Sequence, residues 1–193
     1  MTPHPRKGDW MQTAGGRQFW PLDPRPEEVF LDDIAHALSH LCRYGGHCRT
    51  FYSVAEHSVL LSRAVAPAFA RWALLHDASE AYVVDVPRPI KPALAGYDAI
   101  ETRIMAAVCL RFGLLPEMPA AVKAADRAIL TDELQQAMAA PPVPWSAAGE
   151  PLGVRLEFWS PGVARLEFLI RAQELGLADP GPEPAFLRLA RAL

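Results

Sequence analysis

The stretch Leu74–Lys91, LLHDASEAYVVDVPRPIK, places His76, Asp77, Glu80 and Asp85 directly after an apolar run. Burying such groups is expensive unless each finds a partner. His76 and Glu80 are one helical turn apart, and Asp77 and Glu80 are three residues apart, so all three share one broad helix face. The carboxylates fall toward the C-terminal end of that helix, where the macrodipole disfavours anions. A cation is therefore expected to offset them.

Two further polar residues sit on apolar faces. His57 has Val54, Leu60 and Leu61 as helical neighbours, which turns it inward. Asp126 has Val122, Ile129 and Leu130 around it and also faces inward. Asp132, with Ala128, Gln135 and Gln136 as neighbours, is expected to be exposed. An inward carboxylate needs a positive partner, because an unpaired one costs several kcal/mol. Two imidazoles, His57 and His76, and two carboxylates, Asp77 and Asp126, thus come from three different helices. Mixed nitrogen and oxygen donors suit a divalent transition metal such as Mn, Fe, Co or Zn better than Ca. One metal explains all four burials together.

These residues need helices to carry them. The pattern predicts helices over DDIAHALSHLCRY, capped by Asp32 or Asp33, and over SVAEHSVLLSRAV, opened by Ser53 and Glu56 at capping-box spacing. A third runs from Pro67 to Val84, with the proline in its first turn. YDAIETRIMAAVCLRFG closes on Gly113, and MPAAVKAADRAILTDELQQAMA forms the fifth. SPGVARLEFLIRAQELG and a short terminal segment, EPAFLRLARAL, complete the set. Residues 1–30 read as irregular, with a small hairpin around TAGGRQFW, and Val86–Pro92 must be a loop because its prolines cannot sit inside a helix. The expectation is a single all-α domain over residues 1–193, with a core at about 31–140 and C-terminal helices over 160–193.

Composition narrows the partners. The 193 residues suffice for one core, and a net charge of −3 leaves no bulk basic field for nucleic acid. No apolar run approaches a membrane span, and the N-terminal residues lack the apolar stretch of a signal peptide. Three cysteines, Cys42, Cys48 and Cys109, without framework spacing fit a reducing cytoplasm.

A His, an adjacent His-Asp pair and a distant Asp, here His57, His76-Asp77 and Asp126, resemble the HD-domain phosphohydrolase superfamily. The fuller text SVAEHS, LLHDASEAYVVDVPRPIK and KAAD is similar to the compact bacterial and phage enzymes of 5'-deoxynucleotidase type, from about Asp32 to Leu134. The resemblance implies a helical HD bundle and one divalent ion per chain, Mn, Co, Fe, Zn or Mg. It implies that Glu80 activates water and that Asp85 lies near the sugar hydroxyl and the attacking water. Arg43 matches a phosphate-gripping arginine, and Tyr44 stands where those enzymes usually carry Trp. Arg88 and Lys91 add cations at the proposed mouth. The implied activity is phosphate release from (deoxy)nucleoside 5'-monophosphates. The alternatives are triphosphate release from a deoxynucleoside triphosphate, and a non-catalytic nucleotide-binding module. A homodimer is the expected assembly.

Other residues are discounted. His36 and His40 have metal-pair spacing but flank the apolar stripe rather than lie on it. Cys42, His47 and Cys48 lack a fourth partner for zinc. His47 and Arg49 read first as turn and solvated loop residues, and Trp10, Trp20 and Trp145 as packing anchors.

Overall fold

The structure, a computed structural model, describes residues 6–146 and 149–179. It is mostly helical, as the periodicity predicts. The proposed terminal helix over EPAFLRLARAL lies outside the described residues. Seven α-helices are present among the described residues: α1 (Leu31–His40), α2 (Val54–Ala64), α3 (Ala70–Leu75), α4 (Glu80–Val83), α5 (Tyr97–Phe112), α6 (Ala120–Ala137) and α7 (Pro161–Glu174). The N-terminal hairpin pairs β1 (Met11–Gln12) antiparallel with β2 (Gln18–Phe19).

α2 is the central element and packs against α1, α3, α6 and α7. Ser53 caps it, its hydroxyl accepting from the Glu56 N–H at 3.1 Å. The other half of the expected capping box is absent. Glu56 is fully buried and accepts instead from the N–H groups of Glu157, Phe158 and Trp159, at 2.7, 2.9 and 2.7 Å. Its carboxylate therefore pins the segment leading into α7 onto α2.

α1 departs from expectation at both ends. Its N-cap is Phe30, which offers no side-chain cap. Asp179 supplies one from far along the chain, accepting from the N–H of Leu31 at 2.7 Å and of Asp32 at 3.3 Å. Asp33 is buried and turned to the hairpin, where it binds Arg17 at 2.9 Å and the Gly15 N–H at 2.6 Å. The helix ends at His40, short of the predicted Tyr44. Beyond it, Cys42 bridges Ser53 and the Arg43 N–H donates to the Tyr52 carbonyl at 2.9 Å. That pairing takes the backbone out of helical register.

The predicted third helix is interrupted. α3 stops at Leu75, and residues 76–79 form a tighter turn before α4. The hydrogen bonds there run three residues back, from Ala78 to Leu75 and from Glu80 to Asp77, at 3.0 and 2.9 Å. A switch to this pitch inside a helical run is common at functional positions. α4 then ends at Val84, a β-branched residue at φ 60°, ψ 163°, a region that L-residues avoid. The reversal turns Asp85 out of the helix. The following loop is tied down where Tyr97 donates to the Val84 carbonyl and Lys91 pairs with Glu101, both at 3.0 Å. Among the described residues, no helix is long and apolar enough to cross a membrane.

Candidate metal centre

His57 on α2 is fully buried, and His76, at the end of α3, is nearly so. Their Nε2 atoms face each other at 3.2 Å. The far nitrogens are both committed. His76 Nδ1 donates to the Ala73 carbonyl at 2.8 Å, and a carbonyl can only accept. His57 Nδ1 donates to Glu133 Oε1 at 2.7 Å. Burial would raise the Glu133 carboxyl, but Arg43 and His57 beside it hold its pKa down at about 2, so it is an acceptor. With Nδ1 of each ring committed as a donor, Nε2 is the nitrogen left to meet a cation: it carries a proton while Asp77 and Asp126 face it alone, and a free lone pair once the ring is neutral.

Asp126, from α6, completes this point. Its Oδ1 lies 3.2 Å from His57 Nε2 and 3.6 Å from His76 Nε2. Asp77 Oδ2 lies 3.2 Å from His76 Nε2 and 3.8 Å from His57 Nε2. Around a divalent ion with bonds of about 2.0–2.2 Å, neighbouring donors sit about 3.0–3.5 Å apart. His57, His76 and Asp126 each offer a donor atom that lies within 4.8 Å of the other two. These three form a cluster able to hold a metal ion, with Asp77 at its edge. The imidazoles close it from behind, while Asp77 and Asp126 are 20% and 29% exposed and leave the other side open.

The electrostatics agree with that geometry. Burial opposes the charge of Asp126, yet its hydrogen bonds to His57 and His76 hold it far below the usual carboxylate range. Asp77 is likewise held at about 2, burial being outweighed by His76. Burial would lower His76, but Asp77 and Asp126 push it well above the usual imidazole value. The convergent atoms together attract positive charge.

Glu80 opens α4 and is buried, with its Oε2 atom lacking a hydrogen-bond partner among the described residues. Burial first, then Asp77 and Asp85, push its pKa well above the usual range. Asp85 is raised as well, chiefly by burial. Arg43 is placed differently from the phosphate grip implied by resemblance. It is buried, its Nη2 and Nε both 3.1 Å from Glu133 and its Nη1 3.6 Å from Asp77. Tyr44 sits at φ 57° in the RYGG turn, donates its hydroxyl to Glu133 and lies 5.6 Å from the Trp145 ring.

The exposed edge of Asp126 opens into a cleft of about 330 Å³ lined by Arg88, Lys123, Asp126, Arg127 and Ser146. Arg88, Lys123 and Arg127 form no ion pair with the described residues, whereas Lys91 is held by Glu101. Of the expected mouth cations, the structure brings Arg88 to this cleft and turns Lys91 aside.

Sequence reasoning missed Glu133, which is fully buried. The signal was its spacing: Glu133 lies two helical turns beyond Asp126 on the same face of α6. Lys123 and Arg127 were missed too, although they flank Asp126 on that helix. Asp132 requires correction. It is buried, not exposed, and accepts from the N–H groups of Leu152, Gly153 and Val154 at 2.7, 3.0 and 3.2 Å. The returning 149–158 segment covers that side of α6, which a one-face helical wheel treats as solvent. His36 and His40 stack on each other, with ring centroids 4.3 Å apart.

No family model matches the chain. It is 41% identical over 124 residues to the uncharacterized protein YfdR of Escherichia coli, covering 64% of this chain and 70% of that one. It is also 41% identical over 132 residues to an uncharacterized protein of Rhodobacter capsulatus, covering 63% of this chain and 67% of that one. Having this identity over two thirds or more of each relative, the chain belongs to the family that contains these two proteins.

Proposed function

We propose that this chain is a metal-dependent phosphohydrolase of the HD type, acting on (deoxy)nucleoside 5'-monophosphates. The observation that carries the reading is the convergence of two imidazole Nε2 atoms and Asp126, with a buried Glu80 next to Asp77 and a cationic cleft at the open side. A divalent ion held by His57, His76, Asp77 and Asp126 would supply Lewis acidity and ease the deprotonation of water.

The chain's own groups account for the rest. Glu80 is the general base: burial and then its acidic neighbours Asp77 and Asp85 raise its proton affinity well above the usual carboxylate range, which makes it a stronger base. Its unpartnered Oε2 is the atom that takes the proton. Arg88, Lys123 and Arg127 offset the charge of the substrate phosphate, and the arginines can do so with paired N–H donors. Arg43 holds Asp77 and Glu133 in place rather than presenting a free fork to phosphate. The deciding assay is a panel of nucleoside mono-, di- and triphosphates with Mn, Co, Mg and Zn, with products separated by chromatography. Free phosphate from monophosphates supports the reading, and no turnover with any metal overturns it.

One observation favours a second reading. Three cations around the cleft exceed what one phosphate requires, and suit a nucleoside triphosphate cleaved to nucleoside and triphosphate. The same panel separates the two by product.

A further inference from the structure

We infer that Glu133 is a positioning residue that presents His57 to the metal and locks the RYGG turn to the same point. This role rests on the metal reading above. Glu133 is fully buried near the middle of the domain, where an anion persists only with several partners. It has them from two elements. His57 Nδ1 donates to Oε1 at 2.7 Å, Arg43 Nη2 to Oε2 at 3.1 Å, and the Tyr44 hydroxyl also to Oε2. Arg43 reaches onward to Asp77 at 3.6 Å. One carboxylate thus ties α2, the RYGG turn and α6 together, and through Arg43 the turn after α3.

The chemical consequence concerns the His57 ring. A neutral imidazole carries one proton, and the tautomer decides which nitrogen is left to coordinate. A carboxylate at Nδ1 keeps that proton there, frees the Nε2 lone pair and fixes the ring plane. His76 needs no such partner, because the Ala73 carbonyl does the same for it at 2.8 Å. His57 lies in the first turn of α2, and its Nδ1 takes its partner from α6, two turns past Asp126. Groups that orient a ligating histidine typically matter about 10- to 100-fold for metal affinity.

The test compares Glu133→Gln with Asp132→Asn, the adjacent buried carboxylate, which holds the 152–154 backbone and does not face the cluster. Both substitutions are expected to lower the melting temperature. Only Glu133→Gln is expected to weaken Co(II) affinity, by about 10- to 100-fold in a titration followed by visible absorption. Wild-type affinity in folded Glu133→Gln, or an equal loss in Asp132→Asn, overturns the role. A measurement on the wild-type protein covers the case where Glu133→Gln does not fold. In the zinc-loaded protein, long-range ¹H–¹⁵N spectra of His57 are expected to show the proton on Nδ1, and a proton on Nε2 overturns the proposal. Wild-type protein that takes up no cobalt fails earlier, at the metal reading, so the two failures are distinguishable.

Discussion

Asp132→Ala tests whether the structure accounts for a carboxylate whose surroundings the sequence pattern misjudges. The side chain accepts from three successive backbone N–H groups, Leu152, Gly153 and Val154, at 2.7, 3.0 and 3.2 Å. A hydrogen bond to a charged group contributes about 1.5–3 kcal/mol when its partner is left with nothing. Gly153 is exposed and its neighbours are half-buried, so the freed donors can recover water. A discounted value of about 1 kcal/mol per bond is therefore appropriate, or about 3 kcal/mol in total. For a chain of this size each kcal/mol moves the melting temperature by about 2–4 °C, so a fall of about 6–12 °C is expected. Far-ultraviolet circular dichroism during heating measures it, with Co(II) affinity measured on the same preparation. Affinity should stay at the wild-type value because Asp132 faces the 149–158 segment rather than His57. A melting temperature within about 2 °C of wild type would refute the assigned hydrogen bonds, and a lost metal site would refute the assigned direction.

Three other outcomes follow from the site. Glu80→Ala should keep Co(II) binding and reduce turnover by about 100-fold or more, read by steady-state kinetics; near-wild-type turnover would move the base to Asp85. Because burial, Asp77 and Asp85 raise Glu80 while Arg43 and Lys91 oppose them, the base is ionised only above a raised pKa, and turnover should fall as pH drops through it. Asp85→Asn removes one of the raising charges, so the acid limb of its pH–rate profile should move to lower pH, and an unmoved limb contradicts the assignment. Arg88→Ala should raise KM for a monophosphate, because Arg88 offsets the charge of its phosphate in the cleft; a much larger rise for the matched triphosphate would favour the second reading, and an unchanged KM for both would remove Arg88 from the site.

Much of the cluster is legible in the sequence, because the facing of a single inward residue depends on short-range periodicity. His57 among Val54, Leu60 and Leu61 is fully buried as that pattern requires, while Asp126 among Val122, Ile129 and Leu130 reaches the histidines but keeps its side chain 29% exposed toward the cleft. α6 shows where local pattern stops. Residues 129–133 are all buried, because the 149–158 segment covers a second side of the helix. No local pattern announces a cover supplied from later in the chain, so periodicity puts Asp132 in solvent and passes over Glu133. The break after α3 is hidden for a related reason. The backbone of residues 76–79 keeps a right-handed turn and changes only its hydrogen-bond pitch, which leaves no proline or glycine to mark it. Arg43 is assigned to the phosphate only by resemblance. Its burial follows from a carboxylate ninety positions away, which local reasoning does not reach.

The most direct measurement is a Co(II) titration of the purified protein, followed by visible absorption and checked by elemental analysis. Wild-type protein is expected to bind one equivalent tightly and to develop ligand-field bands of a nitrogen and oxygen site. His57→Ala, His76→Ala and Asp126→Ala should each lose that ion, while Asp132→Ala keeps it. Full occupancy in Asp126→Ala, or no stoichiometric binding by the wild-type protein, would contradict the assignment of this cluster as a metal centre.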